Sequence, residues 1–328
     1  MAATSARSPV FLNLRGSEIK EFSSALQAEP SLALHLWGVR IFLFDESEWG
    51  MLVRILHAAV RTRSIDLCSR WRHDIFDTAV QMLSTDSSWT GWMELQSLHV
   101  ASSWPSRPMS LVVTPVLTQY APQLNHVTMP DVVVQRSTAP EEGAAMPAVH
   151  TLMTSIDWLE HNVLHAPWLD IRILQIMDRS RKTDSQLLFY RRAHEVFLRA
   201  SASDSLTHLT SLTMTVWPST DAHVVGMFQC LPRLQKLRMR CPTPETFEST
   251  MAATPKGLRT LILDAAVNHQ HPQSHGTAAL KSLKAIFSHG GLGCLRQLTF
   301  ELSTAARPEA ETLLVVLCRR KKIRLRFW

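Results

Sequence analysis

Three histidines late in the sequence have a spacing that could hold a metal ion. His269, His271 and His275 form an H-x-H-x3-H cluster, and imidazole is the commonest metal ligand near neutral pH. Zinc sites usually add cysteine or carboxylate ligands, and neither lies among these histidines. We therefore expect residues 268–276 to form an extended His-rich loop rather than a metal site.

A second histidine pattern lies near the middle of the chain. Asp157, His161 and His165 follow one another at intervals of four, which would place them on one face of a helix, where they could bind zinc. Apolar neighbours such as Trp158 and Leu159 are typical of an ordinary amphipathic helix. We predict no metal ion and no cofactor.

The common signatures of catalysis are missing from the sequence. Its 328 residues contain no GxGxxG, GxxxxGK[ST], GxSxG or HExxH phrase. The members of a Ser-His-Asp or Cys-His set need not be close in sequence, so a hydrolase or transferase stays a residual alternative. We predict a non-enzymatic protein with no catalytic residue.

Cysteine usage and hydropathy indicate the cellular compartment of the protein. The five cysteines are scattered and never paired as CxxC, which favours free thiols in a reducing compartment. Cys68, Cys230 and Cys318 lie in or beside apolar phrases, so we expect them to be buried. No uncharged apolar run approaches the roughly 18 residues needed to cross a bilayer. These features predict an intracellular protein, cytoplasmic or nuclear, without a membrane partner.

Charge is distributed unevenly along the chain. Residues 1–164 contain 11 Lys and Arg against 16 Asp and Glu, a net charge of −5, whereas residues 165–328 contain 23 against 12, a net charge of +11. The basic half suits an acidic partner, or a face that attracts the acidic half. The run from Arg319 to Arg326 is typical of a nuclear localisation or nucleic-acid patch, and equally of a helix end followed by a strand.

One short phrase recurs along nearly the whole chain: an apolar residue, two variable positions, a second apolar residue, one variable position and a third apolar residue. The middle apolar residues of its ten copies, some of them looser than others, are Val39, Ile65, Leu98, Val127, Ile171, Leu212, Leu237, Leu261, Leu298 and Leu325. The last two apolar residues of each copy alternate with a variable one, so they share one face of a short strand. Segments with helical spacing follow several copies.

This pattern predicts an α/β fold, an irregular leucine-rich-repeat-like solenoid with a parallel concave sheet and helices on the convex face. We expect about ten strand-helix units in a single solenoid over residues 1–328. Between Asp131 and Trp168 the repeat spacing breaks down, and the composition of residues 136–147 indicates an exposed loop.

The beginning of the chain has a distinctive order of features. A short strand at 10–14 leads to a helix containing Phe22 and Leu26, a Pro-x-Leu-Ala step starts at Pro30, and the first repeat strand covers 39–41. With the degenerate repeats that follow, this order resembles fungal F-box/leucine-rich-repeat-like proteins directly after their F-box. The resemblance implies the substrate-binding part of a ubiquitin-ligase receptor.

The F-box of that family is a helical module that docks the cullin-ligase adaptor through an apolar helix face. Only nine residues precede Val10 in this sequence. We therefore expect the adaptor-binding element to be absent or to lie beyond this sequence, and the adaptor to be a partner only in the second case.

Residues between the inward apolar positions of each strand should point to solvent on the concave sheet, where parallel strands about 4.8 Å apart gather them into one groove. In the basic half, the predicted partner-binding residues at and beside these positions are Arg172, Lys236, Arg238, Arg240, Arg324 and Arg326. A protein with an acidic segment suits this groove better than a small molecule. A solvated face without a ligand is the alternative.

Together these patterns predict a non-enzymatic protein–protein recognition module, with the F-box-type receptor as its specific form. The alternative is a nucleic-acid-binding protein that uses the basic C-terminal half. A net charge of +11 permits that function, but the interleaving of aromatic and basic residues that is typical of it is missing.

Overall fold

The chain forms two compact units, Met1–Trp168 and Leu169–Trp328, and the prediction of one solenoid over residues 1–328 stays a prediction. The computed structural model describes residues 10–70, 75–102, 109–110, 121–129, 132–133, 149–154, 156, 159, 171–176, 195–199, 206–215, 226–240, 253–264, 287, 292–301 and 307–327.

In the first unit, strands alternate with helices. Its described strands are β1 (Val10–Arg15), β2 (Leu36–Leu43), β3 (Ser64–Ser69), β4 (Ser97–Ser102), β5 (Met109–Ser110), β6 (His126–Met129), β7 (Val132–Val133) and β8 (Thr151–Thr154). Its described helices are α1 (Ser17–Ala28), α2 (Trp49–Ala58) and α3 (Ile75–Thr85), with 3-10 turns at Pro30–His35 and Glu46–Glu48. Strands β1, β2, β3, β4, β6 and β8 form a parallel sheet in that order, and β5 pairs with β7 separately.

The strand register of this unit places equivalent apolar residues side by side. Val39 pairs with Ile65, Ile65 with Leu98, Leu98 with Val127 and Val127 with Leu152. All five side chains are at most 2% exposed. Since burying one such side chain stabilises a protein by about 1.5 to 3 kcal/mol, this column is a main source of the unit's stability.

The second unit repeats the arrangement. Its described strands are β9 (Ile173–Ile176), β10 (Ser211–Thr215), β11 (Lys236–Arg240), β12 (Thr260–Asp264), β13 (Gln297–Glu301) and β14 (Arg324–Phe327), each parallel to the next. Helix α4 (Arg307–Arg320) precedes β14, and residues 195–199 and 226–229 are also helical. The buried column here consists of leucines at 174, 212, 237, 261 and 298, all 0% exposed. The predicted α/β class, with parallel strands of the leucine-rich-repeat kind, is confirmed.

A repeated hydrogen-bond pattern links several strands to the next one before that strand begins. The carbonyl oxygen of Arg172 accepts hydrogen bonds from the N–H groups of Thr210 and Ser211, both at 2.9 Å, and the carbonyl of Thr210 does the same for Gln235 and Lys236, both at 2.8 Å. Further carbonyls that accept two such bonds belong to Arg63, Gln96, Asn125, Gln235 and Arg259. The pattern satisfies backbone donors outside the strands and fixes the register.

A turn precedes several copies of the phrase, and the first leucine of each of these copies donates the hydrogen bond that closes the turn. The N–H of Leu234 donates to the carbonyl of Leu231 at 3.2 Å, and the N–H of Leu209 donates to that of Leu206 at 3.0 Å. Equivalent turns start at Trp92, Ala121, Pro255 and Leu292. Leu206 and Leu231 are almost fully buried, so the repeat begins three residues earlier than the recurring phrase indicated.

The prediction that the repeat spacing breaks down between Asp131 and Trp168 is wrong. Val149, Leu152 and Thr154 form a further copy there, with Leu152 in β8 beside Val127. Its third position holds Thr154, which is 0% exposed. The apolar pattern of the sequence does not show this copy, because a buried threonine occupies its third apolar position.

The alignment of the β9 copy is also wrong. Ile171 was expected at the middle position, but Leu174 lies beside Leu212 and Gln175 beside Thr213. Ile171 therefore takes the place of the first leucine, and Ile173 is 44% exposed. Several aliphatic residues in succession allowed two alignments, and only strand pairing distinguishes them.

The basic run near the C-terminus is a helix end followed by a strand. Helix α4 ends at Arg320, Lys322 adopts a left-handed conformation with φ of 57°, and the N–H of Ile323 donates to the carbonyl of Cys318 at 2.8 Å. This is the hydrogen bond that closes a Schellman-type helix end. The nuclear-localisation interpretation of the run stays a prediction.

The predicted loops at 136–147 and 268–276, the latter with its three histidines, lie outside the described residues. Asp157, His161 and His165 lie outside them as well. Within the part of the chain that the structure describes, no helix is long and apolar enough to cross a bilayer.

The buried leucine column makes a prediction about stability. Leu237→Ala should lower the free energy of unfolding by about 2 to 5 kcal/mol, because it leaves a cavity in a fully buried position. Leu325, in the last strand of the order, is only half-buried, so Leu325→Ala should cost about 1 to 2 kcal/mol. Urea unfolding followed by circular dichroism measures both, and equal losses would contradict the different burial of the two strands.

Candidate functional site

The outward positions of the second unit are the strand residues that alternate with its buried leucines. One row across the sheet contains Ser211, Lys236, Thr260, Gln297 and Arg324. The next row contains Thr213, Arg238, Ile262, Thr299 and Arg326. These rows hold four of the six predicted partner-binding residues.

The predicted six do not form one continuous cluster. Lys236 and Arg238 lie on β11, while Arg324 and Arg326 lie on β14. Two strands separate them, which corresponds to about 14 Å between β11 and β14. The predicted set is therefore divided into two groups on the sheet.

Arg172 does not occupy the strand position that the sequence predicted. The register gives that position to Gln175, whose partner is Thr213, and Arg172 precedes β9. Arg172 still lies beside the start of β10, because its carbonyl oxygen accepts hydrogen bonds from the N–H groups of Thr210 and Ser211.

The middle outward row is more covered than a solvated stripe would be. Thr299 is 2% exposed, and Arg238 and Ile262 are half-buried. Gln297 contributes to this cover, since its Nε2 donates to Thr299 Oγ1 at 3.4 Å. Of the two cations in this row, Arg326 is exposed and Arg238 is half-buried, and the other exposed cations described on this sheet lie elsewhere.

They lie at the amino-terminal edge, which we define as the residues that precede and begin β9–β14. An open groove of about 480 Å³ lies there, lined by Arg172, His208, Thr210, Pro232, Arg233, Gln235, Gly257 and Arg259. The exposed cations of this edge include Arg172, Arg233, Lys236, Arg259, Arg296 and Arg324. Arg233 Nη1 lies 3.4 Å from His208 Nδ1, and none of the described residues that line the groove carries a carboxylate.

Sequence reasoning missed Arg233, Arg259 and Arg296. Arg259 and Arg296 occupy the first variable position of their phrases, directly after Leu258 and Leu295. The backbone hydrogen bonds between repeats place the residues at this position beside one another. For example, the carbonyl oxygen of Arg259 accepts a hydrogen bond from the N–H of Arg296 at 2.8 Å. The sequence contains this signal, because both phrases have arginine at the same variable position.

The opposite edge of the same sheet has mixed charge. Arg240 on β11 is in register with Asp264 on β12, which is in register with Glu301 on β13. The predicted residue Arg240 thus belongs to an edge with acidic residues in the neighbouring strands. Among the residues that the structure describes, several exposed cations of this sheet lie at its amino-terminal edge.

The first unit has a different outward cluster, centred on Asp66. Arg40 Nε forms a short ion pair with Asp66 Oδ2. Asp66 Oδ1 lies 3.8 Å from Cys68 Sγ, which donates to it, and 3.9 Å from His99 Nε2. The register explains the cluster, because Arg40, Asp66 and His99 are paired across β2, β3 and β4.

The cysteines only partly match their predicted burial. Cys318 is buried, whereas Cys68 and Cys230 are half-buried and Cys294 is exposed. Cys68 alternates with Ile65 and Leu67, so it faces outward beside Asp66 rather than into the core. Burial, and next the Asp66 charge, raise the pKa of the Cys68 thiol to about 11, so the thiol is protonated near neutral pH.

His126 and Thr128 continue this outward face on β6. His126 Nε2 lies 3.3 Å from Thr128 Oγ1, and Thr128 is in register with His99. Burial, with the nearby charge of His99, lowers the pKa of His126. The two residues add polar groups without a permanent charge.

Aromatic contacts cover the outward face on β1 and β2. The Phe11 ring lies directly over Gly38, where any Cβ would collide with it. The Arg15 guanidinium lies 4.4 Å from the centroid of the Phe42 ring, a cation–π contact. A side chain at position 38 would therefore have to displace the Phe11 ring.

Comparison with known proteins supports the fold. The sequence matches no protein-family model and no curated protein sequence. Its structure is similar to the crystal structure of the leucine-rich repeat-containing protein LegL7 from Legionella pneumophila, with a TM-score of 0.51 and 13% sequence identity over 95% of this chain and 98% of that one. At this identity the similarity establishes a leucine-rich-repeat-like fold.

The Arg40–Asp66 pair should be energetically coupled. Arg40→Met alone leaves the carboxylate of Asp66, which is 8% exposed, without its cation and should cost about 1 to 3 kcal/mol. Adding Asp66→Asn should recover part of that loss, giving a coupling energy of about 0.5 to 3 kcal/mol in a double-mutant cycle. Unfolding free energies of the four proteins measure it, and strictly additive losses would contradict the pairing.

Proposed function

We propose that the chain is a non-enzymatic recognition module whose second unit binds an acidic segment of a protein partner. The observation that carries this proposal is the groove at the amino-terminal edge, which is lined by Arg172, Arg233 and Arg259. Guanidinium groups form paired, charge-assisted hydrogen bonds with carboxylates. Several acidic side chains of one segment would therefore find partners there.

The spacing of the strands suits an extended segment. The six strands β9 to β14 extend over about 24 Å across the sheet, which an extended peptide covers with about seven residues. Lys236 and Arg324 would contact such a segment where it passes over the strand starts. This geometry favours a peptide over a small molecule.

The chemistry of the Cys68 thiol argues against a cysteine nucleophile at this position. A nucleophilic cysteine needs a lowered pKa, whereas the pKa of Cys68 is raised to about 11. The missing catalytic phrases in the sequence point the same way.

The more specific function we propose is that of an F-box-type ubiquitin-ligase receptor inside the cell, of the fungal kind that the sequence resembles. Its support is the element order β1, α1, the Pro30–His35 turn and β2, which matches the order the resemblance implies. Val10, Phe11 and Trp37 are 41%, 47% and 45% exposed, and an adjacent helical module would cover them.

The groove can be tested with defined peptides. We expect a fluorescein-labelled ten-residue peptide of alternating Glu and Ser to bind, and peptides with Gln or Lys in place of Glu to bind at least tenfold more weakly. The double variant Arg233→Glu, Arg259→Glu should weaken binding of the Glu peptide at least tenfold, which corresponds to about 1.4 kcal/mol. Fluorescence anisotropy measures the affinities.

Two further double variants locate the contact. Arg238→Glu with Arg326→Glu tests the outward face and should weaken binding. Because Arg238 is half-buried, the free energy of unfolding of this variant is measured as well. Arg319→Glu with Arg320→Glu makes the same charge change on exposed residues of α4 and should leave binding unchanged. If the control variant lost as much affinity as the groove variant, the loss would be explained by net charge, and the proposed binding groove would be wrong.

The alternative functions predict different results in binding experiments. Filter binding with single-stranded RNA and duplex DNA would favour the nucleic-acid function if affinity were high and fell steeply with salt. None of the described outward residues of β9–β14 is aromatic, so we expect weak binding without base stacking. For the receptor function, a cullin-ligase adaptor should be captured together with the protein from its native cell, and its absence from the captured proteins would contradict that function alone.

A further inference from the structure

We propose that Asp66, Cys68 and His99 bind one zinc ion on the outward face of the first unit. The carboxylate oxygen, the thiol sulfur and the imidazole nitrogen lie within 4.8 Å of one another. These three donor types are the ones that zinc uses in proteins. The inference rests on the first unit alone and is independent of the groove in the second.

Strand geometry brings the three ligands together. Asp66 and Cys68 are two residues apart on β3, so they lie on the same side of the sheet. His99 is directly opposite Asp66 on β4. A fixed register on neighbouring strands therefore holds all three on one face without any loop, and a site built on strands is held more firmly than a site on loops.

The observed distances are close to those of a zinc site. Zinc bonds of about 2.0 to 2.3 Å at tetrahedral angles separate two ligand atoms by about 3.3 to 3.6 Å. Asp66 Oδ1 lies 3.8 Å from Cys68 Sγ and 3.9 Å from His99 Nε2. Coordination would shorten the two separations from Asp66 Oδ1 by about 0.3 to 0.6 Å. Side-chain rotation would also bring Cys68 Sγ and His99 Nε2, which lie within 4.8 Å of each other, to a similar spacing.

Arg40 and zinc would use different oxygens of the same carboxylate. The Arg40 guanidinium bonds to Oδ2, whereas Cys68 and His99 both face Oδ1. Carboxylates that ligate metals commonly hold such a second hydrogen bond. On binding, the Cys68 thiol would lose its proton to solvent as the Zn–S bond forms. The Cys68 thiolate and the Asp66 carboxylate, which also pairs with Arg40, would offset part of the ion's charge.

The site has access to solvent and room for a fourth ligand. The side chain of His99 is 35% exposed and that of Asp66 is 11% exposed, so an ion can reach the carboxylate from the outward face. Three protein ligands leave one tetrahedral position for water or for a donor group of a bound partner.

Cobalt substitution tests the site on the full chain. One equivalent of Co²⁺ should produce the visible bands of a tetrahedral ion together with a near-ultraviolet thiolate charge-transfer band, and Zn²⁺ should displace both. Cys68→Ser should abolish the charge-transfer band, and His99→Gln should lower Zn²⁺ affinity at least tenfold in competition with a chromophoric chelator. Cys294→Ser and His208→Gln, at exposed positions outside the cluster, are the matched controls.

A second measurement needs no variant. Zn²⁺ should protect Cys68 from alkylation, read by peptide mass spectrometry, and EDTA should restore its reaction. Cobalt binding without a thiolate band, a band that survives Cys68→Ser, or alkylation of Cys68 that zinc does not slow would each overturn the proposal.

Discussion

The carbonyl group that accepts two N–H bonds from the next repeat is the interaction on which the structure depends. It fixes the register before each strand begins, for example at Thr210, whose carbonyl bonds both Gln235 and Lys236. With the register fixed, Leu212 must lie beside Leu237, and the residues between the leucines must form rows on the outward face. The groove and the Asp66 cluster are both consequences of this alignment.

Much of the fold could be predicted from the sequence because its apolar pattern is local. Alternation around Leu98, Leu237 and Leu298 specified a strand with one buried face. The copies that failed are those in which the pattern is ambiguous: Thr154 is buried without being apolar, and Ile171 to Ile176 allows two alignments. Only backbone pairing between distant segments decides such cases.

The candidate sites were less predictable for a related reason. Basic character in the second half followed from composition, but its concentration at one edge depends on the first variable position of each phrase, where Arg259 and Arg296 lie. The Asp66 cluster requires residues from two strands in exact register, and Cys68 was assigned to the core because its neighbours are apolar. Which outward residues stay exposed also depends on longer neighbouring side chains, as the burial of Thr299 illustrates.

Hydrogen exchange on a single variant tests most directly whether neighbouring strands stabilise one another. Leu261 is fully buried in β12, between β11 and β13, so Leu261→Ala should speed amide exchange in both neighbours as well as in β12. Exchange in β3 of the first unit should change much less, since repeats are stabilised mainly by their nearest neighbours. Faster exchange confined to β12, or an equal increase in β3, would contradict this account.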